Sequence, residues 1–180
     1  MASVIDRYRT LYKNVPSEVL VDRYYTLLEK INEAKGKKDF QSMLSYCEQS
    51  ISLIEPLINE CKREYGVFDI KSIPAIELGS MFFAIYSDNK SLLMMQEVVE
   101  YFPELAPWKE TIEKAFYIDK LSSQICEYIS SNVGCLQKDL KKVLSVDDGS
   151  LIAQILYYLG LTGKVRREKQ GNTYLLYHTK

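Results

Sequence analysis

The sequence predicts a mainly α protein that closes in a short two-stranded β-hairpin. Three observations predict it. Helix-period apolar stripes follow one another from Leu20 to Tyr128, the eight glycines and five prolines are scattered, and two period-2 stretches end the chain. The 180 residues are 47% hydrophobic and 26% charged, which supplies a packed core and excludes disorder as the dominant state. With 23 Lys plus Arg against 24 Asp plus Glu, the net charge is −1. Coating of nucleic acid or anionic membrane by bulk charge is thereby excluded, and any such contact must come from a local patch.

Leu20, Tyr24, Leu27, Leu28 and Ile31 share one helical face, predicting a first helix over residues 19–35 with Pro16 in its first turn. Gly36, among Lys35, Lys37 and Lys38, is the expected stop. From Phe40, the residues Cys47, Ile54 and Cys61 recur every seven, shadowed by Leu44, Ile51, Ile58 and Tyr65, and the seam ends at Gly66. Pro56 interrupts it, but the apolar phase carries across unchanged, so one kinked helix is expected in place of two, with the seam as core in preference to a dimer face. Pro74 opens a third helix to about Tyr86, apolar on nearly every side and therefore central. The turn Ser87-Asp88-Asn89 leads to a fourth, striped by Leu92, Met95, Val98, Val99 and Phe102 and closed by Pro103, with Met94 and Met95 as core filler. These helix pairs are weakly similar to tandem helix-hairpin repeats of the tetratricopeptide type, although the consensus aromatic and small positions of that repeat do not align. A helical bundle or a helix-hairpin array is expected here.

Between Pro107 and Asn132 no helix breaker occurs, and Trp108, Ile112, Ala115, Ile118, Leu121, Ile125 and Tyr128 keep helical spacing. One long helix is expected, with Asp119 as the alternative cap that would split it. The division into domains is expected at 1–117, helical and serving interaction or dimerisation, and 118–180. After Asn132-Val133-Gly134, the residues Leu136, Leu140, Val143 and Leu144 predict a short helix. The stretch Val146-Asp147-Asp148-Gly149-Ser150 is a capped turn. Leu151, Ile152, Ile155, Leu156 and Leu159 mark a further helix stopped by Gly160. Residues 164–169 and 173–178 then alternate with period 2 around Gln170-Gly171-Asn172, a hairpin signature.

Helix, short helix, turn, helix and hairpin over residues 119–180 is an order that resembles the winged helix-turn-helix family. Leu159-Gly160-Leu161 followed by Val165-Arg166-Arg167 looks like that family's passage from recognition helix into wing. The resemblance covers the last third of the chain and implies a C-terminal winged helix of three helices plus a two-stranded β-hairpin. It implies that the third helix enters the major groove while the second helix and the wing hold phosphates. Lys138, Lys141 and Lys142 on the second helix and Lys164, Arg166, Arg167 and Lys169 on the hairpin are then the phosphate contacts. Ser150, Gln154 and Tyr157, with Ala153 and Tyr158 beside them, would face the bases, and Gln154 could pair bidentately with adenine.

The charge division agrees: residues 118–180 hold nine Lys plus Arg and six Asp plus Glu, net +3, and the remainder is −4. Two features depart from many DNA-binding members. The third helix has no Lys or Arg, and Asp147 and Asp148 stand at its entrance. The expected function is a DNA-binding transcriptional regulator on double-stranded DNA, with the N-terminal helices serving a homodimer or protein partner. The alternative is a protein-interaction scaffold whose winged helix packs on another subunit.

No enzyme, cofactor or metal site is expected. Cys47, Cys61, Cys126 and Cys135, at gaps of 14, 65 and 9, match no zinc or redox spacing and read as reduced, mostly buried residues. The single histidine, His178, sits near the chain end, where a catalytic base is poorly held. Residues 1–14 carry charge and lack the apolar stretch of a secretory signal, and the charge-free run between Glu77 and Asp88 is half of the ~20 residues a membrane helix needs. A cytoplasmic protein with no membrane contact is expected.

Overall fold

A computed structural model describes residues 16–68, 73–86 and 89–179. The charged stretch 1–14 and Ser87-Asp88 of the expected turn lie outside the described residues. The chain is mainly helical with a small three-stranded antiparallel sheet near its C-terminus. It forms two compact units, one of the described residues through Phe83 and up to Ala115, the other of Ala84–Tyr86 and the residues from Phe116 onward.

In the first unit, α1 (Ser17–Lys37), α2 (Phe40–Ile51) and α3 (Ile54–Tyr65) pack together. Leu20, Tyr24 and Leu27 of α1 are buried against Leu53 and Leu57, each such leucine stabilising by about 1.5–3 kcal/mol. The end of α1 corrects the sequence expectation: Gly36 lies inside the helix, and Lys38 takes the left-handed cap at φ 56°. The N–H groups of Lys38 and Asp39 donate to the carbonyls of Lys35 and Ala34. Asp39 must serve at once as the N-cap of α2, accepting from the Ser42 N–H at 3.1 Å, so the turn has no room to end earlier.

The expected single helix over 40–65 is corrected too. The chain breaks at Ser52-Leu53, because Pro56 has no N–H to offer the Ser52 carbonyl. Both linking residues keep right-handed backbone angles, so Cys47, Ile51, Ile54 and Ile58 remain buried as one seam.

α4 (Pro74–Tyr86) is buried on most sides, with Ala75, Ile76 and Phe82 through Ile85 in the core. Gly79 lets it approach α2, since a Cβ there would stand 3.1 Å from Cys47 Cβ. α5 (Asn89–Tyr101) buries Leu92, Met94, Met95, Val98 and Val99. A 3-10 turn (Pro103–Trp108) follows, and Trp108 Nε1 donates to Glu77 Oε1 at 3.2 Å, tying that turn to α4.

α6 (Lys109–Ser131) runs unbroken for 23 residues with Asp119 inside it, so Asp119 does not cap a new helix. The second unit continues with β1 (Cys135–Leu136), a 3-10 turn (Gln137–Asp139), α7 (Leu140–Val143), α8 (Gly149–Leu161), β2 (Val165–Gln170) and β3 (Thr173–His178). The sheet order is β1-β3-β2, all antiparallel. Strand β1 was not expected: two residues are too few to show alternation, and Leu136, expected in the short helix, pairs instead with Leu175. The hairpin turns on Gly171 at φ 57° with no positive φ at Asn172, the arrangement of a two-residue type II′ turn.

Gly160 is not the stop of α8. The helix passes through it, and Gly163 at φ 73° takes the left-handed position. The N–H groups of Gly163 and Lys164 donate to the carbonyls of Gly160 and Leu159, the paired bonds of a Schellman motif. Among the described residues no helix is long and apolar enough to cross a membrane, α8 with its uncharged thirteen residues included.

Candidate functional site

Leu140 is fully buried and anchors α7, so a one-turn helix turns its polar positions outward together. Lys138, Lys141 and Lys142 are all exposed, and no ion pair with a described residue holds them. The chain then reverses through Ser145 at φ 52°, with the Val146 N–H donating to the Lys141 carbonyl at 3.1 Å. Asp148 caps α8, its Oδ1 accepting from the N–H groups of Ser150 at 2.9 Å and Leu151 at 3.0 Å. The strongest anion-binding donors of α8 are therefore already met by a carboxylate of the chain itself. A Cβ at Gly149 would stand 3.0 Å from Lys141 Cδ, so the Lys141 stem lies across the first residue of α8.

α8 buries Leu151, Ile152, Ile155, Leu156 and Leu159 and turns Ser150, Gln154 and Tyr157 to solvent. Tyr157 is 48% exposed and meets Tyr158 edge to face at 5.4 Å between ring centroids. Ala153 and Tyr158 are half-buried at the margins of this face.

The hairpin cations have other fates. Strand alternation puts Val165, Arg167 and Lys169 on one face with Tyr174 and Leu176; Val165 and Leu176 are buried, so this is the inward face. Arg167 is half-buried there. One guanidinium nitrogen donates to Gln137 Oε1 at 3.0 Å, the plane lies 4.2 Å from the Tyr174 ring centroid, and Nε is buried without a hydrogen-bond partner. Lys164 is half-buried and its Nζ donates to the Ile85 carbonyl at 2.9 Å. Arg166, on the outward face, pairs with Glu168 and sits 4.6 Å over the Tyr177 ring. Lys169 is exposed.

Of the ten residues named from the sequence, six are therefore exposed, Lys138, Lys141 and Lys142 on α7 and the turn before it and Ser150, Gln154 and Tyr157 on α8. Arg166 and Lys169 project from opposite faces of β2, while Lys164 and Arg167 are engaged within the unit. Gln137, Tyr174 and Tyr177, which hold the two arginines, escaped the sequence reading. One sign was present: Arg167 shares the parity of Val165, an apolar strand residue.

The cysteines are free. Cys47 is buried, and burial pushes its thiol up to about 12. Cys61, Cys126 and Cys135 are half-buried, a correction to the expectation of mostly buried thiols, and burial raises each of them as well. Among the described residues no cluster of three or more His, Cys, Asp or Glu could hold a metal ion. The chain matches no protein-family model, no curated protein and no solved structure.

Proposed function

We propose that the C-terminal unit is a winged helix and that the protein is a DNA-binding transcriptional regulator acting on double-stranded DNA. The observation that carries this reading is the placement of the Lys141 stem against Gly149 at the start of α8, with Lys138 and Lys142 exposed on the same short segment and Ser150, Gln154 and Tyr157 exposed on α8. A duplex lying along that surface would meet Lys138, Lys141 and Lys142 at its phosphates and Ser150, Gln154 and Tyr157 at its groove. Lys164 is bonded to the Ile85 carbonyl beside the root of the hairpin and Arg167 is held on the inward face, so their expected phosphate role falls to Lys169 and, if its pair with Glu168 opens, Arg166. The N-terminal helices would supply the second copy needed for paired half-sites or a protein partner.

A second reading, a protein-interaction scaffold, is favoured by the Asp147-Asp148 pair at the start of α8 and by the half-exposed Tyr157 on its face. Fluorescence anisotropy with a random duplex over a range of salt concentrations separates the two. Three to five phosphate contacts give a slope of log affinity on log salt of about −3 to −4. Absence of binding even at the lowest salt would remove the DNA reading and leave the scaffold.

A further inference from the structure

A cleft of ≈ 360 Å³ opens beside the root of the hairpin, on elements that all belong to the second unit. Leu159 and Cys126 form apolar parts of its wall, and Lys164, His178, Thr179 and Ser123 supply polar groups. Among the described residues no carboxylate lines it. We propose that this cleft binds a small organic carboxylate, an inference independent of whether the protein binds DNA.

The reasons are chemical. One of the three N–H groups of Lys164 is used by the Ile85 carbonyl, which fixes the ammonium in place and leaves two donors for a ligand. That charge is felt inside the cleft, where it opposes the effect of burial on the Cys126 thiol. Thr179 is held in position by its N–H on the Lys164 carbonyl at 3.1 Å and its hydroxyl on the Gly163 carbonyl. With both Thr179 donors already given to backbone carbonyls, the Lys164 ammonium, the Ser123 hydroxyl and the His178 ring face the anionic head, and the apolar wall atoms take its body. A compact phosphate would leave the wall of Leu159 and Cys126 unused, and a neutral or cationic ligand would leave the ammonium without a counter-charge.

The test is a titration of the full chain with sodium benzoate, benzamide and inorganic phosphate at constant ionic strength, followed by backbone amide shifts. Benzoate is expected to shift the amides of Cys126, Lys164 and Thr179 saturably, with benzamide and phosphate binding at least tenfold more weakly. Lys164→Met should weaken benzoate at least tenfold. Because that variant also loses the bond to Ile85, Ser123→Glu provides a second check: it alters an exposed helix position and brings a negative charge to the cleft, so it should give a loss of similar size. Equal shifts with benzamide, tighter binding of phosphate than of benzoate, or undiminished benzoate binding by Ser123→Glu would each overturn the proposal.

Discussion

The lysines around α7 and the cations of the hairpin carry the same charge and differ in what their backbone makes of it. A one-turn helix with one buried anchor, Leu140, leaves Lys138, Lys141 and Lys142 all in solvent. A strand alternates, so Arg167 and Lys169 share the inward face, where Arg167 is stacked on Tyr174 and bonded to Gln137 while Lys169, near the hairpin turn, stays exposed. Lys164, just before the strand, gives one of its N–H groups to the Ile85 carbonyl, which holds the ammonium at the root of the hairpin. A charge count of +3 for the last third of the chain thus overstates what the hairpin presents and leaves the short helix as the main reservoir.

The widest separation between the two groups should come from Lys138→Ala/Lys141→Ala/Lys142→Ala. On the DNA reading, duplex affinity at about 0.1 M salt falls by about a hundredfold or more and the salt slope flattens by about 3. Urea unfolding should move by less than about 0.5 kcal/mol per site. A slope unchanged by the triple substitution would erase the distinction drawn between helix and strand.

Arg167→Ala should act in the opposite sense, costing about 2 kcal/mol of stability through the lost charged hydrogen bond and ring stacking. Arg167→Lys should not rescue it, because an ammonium cannot reproduce the planar stack. Urea denaturation with amide exchange in β2 and β3 reads both. Lys164→Met should cost about 1 kcal/mol, the worth of one bond to a charged donor partly screened by solvent, with early exchange localised to the strand it precedes. Arg166→Ala is the smallest effect, within about 0.5 kcal/mol, since its pair with Glu168 is exposed on both sides; a larger loss would show that Tyr177 and Arg166 are coupled more tightly than their exposure suggests.

Elements defined by long periodic patterns were legible in the sequence. α4, the unbroken α6, the capped turn before α8 and the hairpin follow from local rules, with Asp119 the one competing cap in α6. The misplaced boundaries share a cause. At the end of α1, Gly36 offered the cheaper left-handed residue, but the need for Asp39 to cap α2 pushes the turn onto Lys38, at a cost of about 1 kcal/mol. In α8, Gly160 and Gly163 were equally good stops by residue type, and the position of β2 selects the later one. β1 exists only because β3 lies beside it, and no two-residue pattern could announce that. For the candidate site, the exposed face of α8 was readable from period, whereas the inward turn of Arg167 required knowing which face of the strand met the core.

The close of α8 at Gly163 has a mechanical consequence. The Lys164 N–H is bonded back to Leu159 and the Lys164 carbonyl accepts from Thr179, so a single residue fastens the helix end to both strands. The hairpin has no free stalk on which to swing: tilting it would unzip the final turn of α8, and a force applied to either is felt by the other.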